Sequence, residues 1–144
     1  QDLIRLRQLH EIVSLDYRRG LRAVANSGVS QREIAQRLRV TQPTISAVLR
    51  KAQISPQVAE GFSGAGPAEI CQRYAAGLIS RDQLIDELTR WPYTPVKDDD
   101  PYDWLVVAPP GSWKEVDDAL YEGWIDDDIY DEVIQRSEEQ HKDH

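Results

Sequence analysis

Residues 28–52 read GVSQREIAQRLRVTQPTISAVLRKA, and two helix starts are written into them. Ser30 precedes QREIAQRL with Glu33 three positions on, the spacing of a capping box, while Val29 and Ile34 occupy the positions of a hydrophobic staple. A short turn follows Leu38, and Thr41 caps a second helix. Pro43 sits harmlessly in its first turn, where the N–H that proline lacks has no intrahelical partner. Val40 and Ile45 repeat the staple. The spacing predicts two short helices joined by a tight turn. Ile34, Ala35, Leu38, Val40, Ile45, Val48 and Leu49 would brace one against the other, with Ala35 small where they meet.

Helix, short turn and capped second helix make the helix-turn-helix arrangement, in which one helix holds the other rigidly for reading a groove. The outward positions of the second helix, Thr41, Gln42, Thr44 and Ser46, are short hydrogen-bonding groups near its N-terminus. Such groups reach base edges in the major groove, and glutamine matches adenine in bidentate fashion. Arg50 and Lys51 follow about two turns later, placed for phosphates together with Arg32, Arg37 and Arg39. Ser30, Gln31 and Pro43 complete the candidate DNA-binding set. The segment resembles the helix-turn-helix of bacterial regulators, resolvase C-terminal domains and sigma-factor region 4, through its SQREIA and TQPTIS blocks. It departs from many of them by carrying Arg39 where they have a turn glycine. A trihelical bundle without any nucleic-acid role would share the caps. The polar outward positions and the local basic charge favour DNA.

Working outward, that charge is confined to one half. Residues 1–53 hold ten Lys and Arg against four Asp and Glu, and residues 54–144 hold seven against twenty-one. The net −8 of the 144-residue chain therefore conceals a basic half and an acidic half, a sign asymmetry that points to two kinds of partner. No apolar run approaches the ~20 residues of a membrane span, and no secretory signal is visible. One cysteine, Cys71, excludes an internal disulfide and fits a reducing, cytoplasmic setting. Methionine is absent even at position 1, so the numbering is expected to start inside the encoded chain. Upstream of the motif, Leu3, Leu6, Leu9, Ile12, Val13, Leu21 and Val24 recur at helical spacing. They predict one long helix, or two with a break at Gly20, ending at Gly28.

Downstream, ISPQVAEGFSGAG (54–66) and WPYTPVKDDDP (91–101) read as linkers. An internal repeat lies around the second: EICQRYAAGLISRDQLIDELTR (69–90) aligns without gaps on EVDDALYEGWIDDDIYDEVIQR (115–136). Glu69/Glu115, Gly77/Gly123, Ile79/Ile125, Asp82/Asp128 and Arg90/Arg136 are identical pairs. In each copy a helix with apolar residues at i and i+4 (Ile70 and Tyr74; Val116 and Leu120) ends on a glycine suited to the left-handed C′ position. Ser80 or Asp126 then caps a second helix, stapled by Ile79 to Leu84 or by Ile125 to Tyr130. Each copy is an αα-hairpin that cannot bury its apolar face alone, so the two are expected to pack together or onto a partner. Between them, Trp104 to Ala108 reads as a strand or an extended arm.

QRYAAGLISRDQLIDEL resembles the small helical antitoxin segments that accompany Fic-type toxins, which carry a similar Y-x-x-G-x-I-S-x-D-x-L run. Their inhibitory serine-to-glutamate motif is not evident, since SPQVAEG (55–61) has one residue too many. The resemblance implies a helical toxin-neutralising module without fixing the toxin. Charge points the same way. A region of −14 opposes phosphates if near them and suits a basic partner if it faces away, with Trp91, Tyr93, Tyr102, Trp104, Trp113, Tyr121, Trp124 and Tyr130 as candidate anchors. The competing reading makes those aromatics core and the acidic half an oligomerisation unit of a plain host or phage repressor.

No site for chemistry emerges. DDD at 98–100 and 126–128 lacks a convergent oxygen set for calcium or magnesium. His141 and His144 are too few for zinc, Cys71 lies on an apolar helix without a base, and no phosphate-cradling glycine loop is present. Recombinase-type enzymes carry similar helix-turn-helix segments, but after a catalytic domain. The expectation is an all-α, cytoplasmic, nucleoid-associated protein with no enzymatic activity and no cofactor. It comprises an N-terminal helix-turn-helix bundle (1–53), a linker (54–66) and repeated acidic αα-hairpins (67–144). Its expected partners are a double-stranded DNA operator, a basic cognate toxin and further copies of itself, and no membrane.

Overall fold

Capping residues set where the helices begin. The computed structural model describes residues 2–95 and 108–142, and among these the regular structure is entirely helical. The helices are α1 (Asp2–Asn26), α2 (Gln31–Leu38), α3 (Gln42–Ile54), α4 (Pro67–Ala75), α5 (Arg81–Arg90), α6 (Lys114–Tyr121) and α7 (Asp127–Lys142). No helix among the described residues is long and apolar enough to cross a membrane. The stretch 98–100, Tyr102, Trp104 and most of the expected strand or arm at 104–108 lie outside the described residues. The chain divides into two units, His10–Gln57 and a second made of Gln1–Leu9 with Val58–His144. The first nine residues thus group with the acidic unit.

The basic unit is built on α2 and α3, which pack against each other, with the later turns of α1. Leu21, Ile34, Ala35, Ile45 and Leu49 form its buried cluster, with Ala25, Val29 and Val48 packed around it. Leu38 and Val40, read as part of the brace, are 43% and 39% exposed. They flank the turn itself and not the facing bodies of the two helices. Two α1 arginines hold the far end of α3: Arg22 donates to the Ala52 carbonyl at 3.3 Å and Arg19 to the Pro56 carbonyl at 2.8 Å. Cations at a helix C-terminus satisfy carbonyls that lack intrahelical partners. Of the two arrangements expected upstream, one long helix or two with a break at Gly20, the single helix holds, since α1 runs through Gly20. Glycine inside a helix costs ~0.5–1 kcal/mol relative to alanine.

In the acidic unit, α4 packs on α5 and α6, and α7 on α5 and α6. Ile70, Cys71, Leu84, Ile85, Leu88, Val116, Ala119, Ile125, Ile129 and Val133 form one shared core. The 46-residue repeat is visible in its backbone hydrogen bonds. After α4, the Leu78 N–H reaches the Arg73 carbonyl and the Gly77 N–H reaches Tyr74; after α6, Trp124 reaches Ala119 and Gly123 reaches Leu120. Both are Schellman turns with glycine at the left-handed position, at φ +81° and +80°. Caps repeat as well: Gln83 N–H to Ser80 Oγ at 3.1 Å, Ile129 N–H to Asp126 Oδ1 at 2.9 Å. Even the loops before the hairpins correspond, since Glu69 accepts from the Ala65 N–H and Glu115 from the Gly111 N–H.

The repeat loosens in its second helices. Leu84, Ile85 and Leu88 are buried in α5, whereas α7 buries Ile129 and Val133 and leaves Tyr130 half-buried. The physical reason is the tyrosine hydroxyl, which donates to Asp117 at 2.6 Å and accepts from the Trp113 indole N–H at 3.1 Å. A phenol that needs polar partners stays at the rim, so α7 turns a neighbouring face inward.

Residues 58–66, read as the end of a linker, fold onto the acidic core. Phe62 meets Trp91 edge to face at 4.7 Å, and the Arg90 guanidinium lies 4.6 Å over its ring. The buried Glu87 carboxylate accepts from both the Ser63 N–H and its hydroxyl. Trp91 to Thr94, expected as linker too, is likewise held. The Trp91 indole N–H and the Thr94 N–H both reach the Gly111 carbonyl.

Candidate functional site

The turn between α2 and α3 decides what α3 presents. Ser30 Oγ accepts the Glu33 N–H at 3.2 Å and so starts α2. The Glu33 carboxylate pairs with Arg37 at 2.8 Å, an i,i+4 bridge, so the expected capping box is made on one side only. Arg37, read as a phosphate contact, spends its charge on that bridge. At the other end Arg39 adopts φ 57°, ψ 43°. The Val40 N–H reaches the Ala35 carbonyl at 3.1 Å and the Arg39 N–H reaches Gln36 at 3.3 Å. This is the same Schellman turn as after α4 and α6, here built on an arginine.

Thr41 then caps α3: its Oγ1 lies 3.3 Å from the Thr44 N–H and 2.7 Å from Thr44 Oγ1. The two hydroxyls are therefore bonded to each other, and Thr41 keeps one further hydrogen-bonding position and Thr44 two. Pro43 lies in the first turn. Ile45, Leu49 and Ala52 are buried along one face, and the 100° step per residue sends Pro43, Ala47 and Arg50 to the opposite side. Ser30, Gln31, Arg32, Arg39, Thr41, Gln42, Pro43, Thr44, Arg50 and Lys51 are all exposed, and Ser46 is half-exposed. The Gln42 carboxamide and the charges of Arg32, Arg39, Arg50 and Lys51 make no hydrogen bond or ion pair among the described residues.

Ala47 was missed from the sequence. It is exposed, lies one turn beyond Pro43 and three residues before Arg50, and its bare methyl lets a surface approach the α3 backbone. Its spacing from the buried residues was the available signal. Ile54, 84% exposed, ends the same face.

The aromatic candidates of the acidic half divide differently. Trp91, Tyr93, Trp113, Trp124 and Tyr130 all pack against that unit's own core. Tyr93 meets Trp113 edge to face at 5.0 Å, and Trp113 meets Tyr130 at 5.6 Å. Tyr121 alone among the described candidates is free of the core, at 90% exposure, and acidic neighbours in sequence surround it: Asp117, Asp118 and Glu122.

Titratable groups follow their surroundings. Burial, and then the Glu115 carboxylate, push the Cys71 thiol up to about 12, so it is an inert core group. Burial also raises Tyr93, with Cys71 and Glu115 adding to it, and its hydroxyl donates to the Leu88 carbonyl. Tyr130 is raised chiefly by its hydrogen bond to Asp117. No group of three or more His, Cys, Asp or Glu converges as for a metal among the described residues. Asp126, Asp127 and Asp128 serve the start of α7, where carboxylates suit the helix dipole. The cleft of about 670 Å³ beside Phe62 is lined by Arg73, Asp86, Glu87 and Arg90. Its charges are matched internally, Arg73 by Glu69 and Arg90 by Asp86. Comparison of the chain with family models, curated proteins and solved structures finds no match.

Proposed function

We propose that the basic unit is a helix-turn-helix that reads double-stranded DNA, and that the acidic unit of paired αα-hairpins engages a basic partner protein. In this reading the chain acts by binding, in the cytoplasm at the nucleoid, as an autorepressing antitoxin whose cognate toxin is the basic partner. The observation that carries the DNA assignment is the exposed first turn of α3. With Ser46 it offers Gln42 and Thr44, and α2, α3 and the turn between them carry Arg32, Arg39, Arg50 and Lys51, which no carboxylate among the described residues neutralises. Anionic phosphate is the ligand such cations fit, and the carboxamide is the group that distinguishes bases. The opposite charges of the two halves then keep their partners apart. Phosphates are repelled from the acidic unit, and a basic protein is repelled from the DNA-binding one.

The DNA assignment is tested on an operator selected from random duplexes. Gln42→Ala is expected to weaken binding to the selected site by ~1–3 kcal/mol and to leave random DNA unaffected. Equal losses on both would remove Gln42 from base reading.

A second reading keeps the DNA-binding unit and makes the acidic unit an oligomerisation module of a plain repressor. The packing of the half-buried Trp91, Tyr93, Trp113 and Tyr130 against their own core favours it, because it leaves less of each ring for a partner. Purification of the chain from its native cell separates the two. A stoichiometric basic protein lost on Tyr121→Ala supports capture, and recovery of the chain with DNA alone supports the plain repressor.

A further inference from the structure

Helix α1 carries a second pattern that neither unit's core uses. Leu3, Leu6, His10, Val13, Tyr17, Gly20 and Val24 are separated by alternating steps of three and four residues, the a and d positions of three successive heptads. All seven are exposed. The apolar ones reach 81% at Leu3, 60% at Leu6, 55% at Val13, 44% at Tyr17 and 39% at Val24. The residues α1 does bury, Gln8, Ile12 and Leu21, stand at other heptad positions. A helix that needed only its own core would leave its remaining faces polar.

Gly20 adds an independent observation. It lies in mid-helix, where glycine is unfavourable, and a side chain built on it would meet nothing within 4 Å. Neither a turn, a positive φ nor a close neighbour within the chain calls for glycine there. A second helix crossing at that point would, since the absence of a Cβ lets two backbones approach.

We infer that this face of α1 is a two-stranded coiled-coil seam, and that its occupant is a second copy of the chain. A 3.5-residue repeat on one continuous helix is matched by another helix with the same repeat, and the nearest source is this one. The five apolar side chains offer on the order of 500 Å² per chain. A pair therefore buries roughly the 1,000 Å² that a biological interface has to clear. Choosing a like copy over another helical protein rests on the DNA-reading function proposed above, which needs two α3 helices on neighbouring half-sites.

Sedimentation velocity on the full chain tests the seam. The wild type is expected as a dimer of twice the 16.5 kDa chain mass. Val13→Glu with Tyr17→Glu is expected to raise the dimer dissociation constant ~100-fold or more, as for central interface residues. Both side chains are exposed, so the monomer fold is kept, as circular dichroism will verify. Gly20→Leu is the second variant, because leucine favours the helix yet blocks close approach. It too is expected to yield monomer.

A wild-type monomer at every concentration, or a dimer indifferent to all three substitutions, overturns the seam. So does assembly through α1 with a different protein only. A dimer that these substitutions dissociate, but that binds no DNA, upholds the seam and rejects the DNA reading. A monomer that binds operator at full affinity does the reverse.

Discussion

Three helices of this chain, α2, α4 and α6, end in the same Schellman turn, and the residue at the left-handed position differs. The acidic unit uses Gly77 and Gly123; the basic unit uses Arg39, at φ 57°. A side chain at left-handed φ costs roughly 1–2 kcal/mol that glycine avoids, so the arginine is locally the worse choice. What it provides is a cation on the turn, with no ion-pair partner among the described residues. The acidic turns avoid that backbone strain and the basic turn carries it, which the proposed DNA contact would offset. A local rule broken without compensation inside the molecule marks a place shaped by something outside it.

Among the described residues the two units also differ in the size of their main buried clusters, five residues against ten, and the sharpest way to break the comparison is to empty the smaller one. Ile45 is fully buried, and Ile45→Ala should cost ~2–5 kcal/mol. A small core has little margin for such a loss. Trp91, Trp113 and Trp124 pack against the acidic core and the basic unit has no tryptophan, so tryptophan emission follows the acidic unit. The expected result is loss of helical circular dichroism and of DNA binding with tryptophan emission and its urea midpoint unchanged. A matching shift in the fluorescence midpoint would show that the two units unfold as one.

Exchanging the turn residues gives effects of opposite sign. Gly123→Ala, at φ +80° and 3.4 Å from Ile4 Cδ1, should destabilise by roughly 1–2 kcal/mol through backbone strain. Arg39→Gly should stabilise the basic unit by up to ~1 kcal/mol. It should also weaken DNA binding uniformly across sequences and reduce the slope of log K against log salt by about one phosphate contact. Urea melts and a salt titration read these directly. Stabilisation without any change in the salt slope would mean that Arg39 does not touch phosphate and that its strain is unexplained.

Local signals in the sequence were legible where local chemistry decides. Ser30, Thr41, Ser80 and Asp126 were identified as caps from residue type and spacing alone, and each makes its cap bond. Gly77 and Gly123 were likewise readable as C′ residues. What escaped was set by contacts distant in sequence. Phe62 and Ser63 looked like linker because glycine, serine and proline surround them. The residues that hold them, Glu87, Arg90 and Trp91, lie more than twenty positions on. The gap-free repeat put Tyr130 opposite Leu84, yet Leu84 is buried and Tyr130 half-buried. Only the partners of the phenol, Trp113 and Asp117, show why it stays at the rim. In the candidate site the polar residues stood out and Ala47 did not, since a methyl group announces no chemistry until its neighbours are seen to be exposed.

The smallest expected difference between the units appears at high pH. Burial raises Cys71 from an ordinary value near 9 to about 12 and raises Tyr93 from near 10, while the basic core holds neither residue type. In the unfolded chain the thiol ionises as pH passes 9, and in the folded unit it keeps its proton. The unfolded state therefore binds fewer protons in that window, and stability falls as pH rises. The contribution is fully present below pH 9 and is lost progressively toward the folded value; Tyr93 begins to add its own loss about one unit later. Urea midpoints followed by tryptophan fluorescence should decline between pH 9 and 10, and Cys71→Ala should flatten that decline while lowering the midpoint at every pH by the methyl-sized cavity it leaves. An unaltered decline in Cys71→Ala would assign the whole effect to Tyr93.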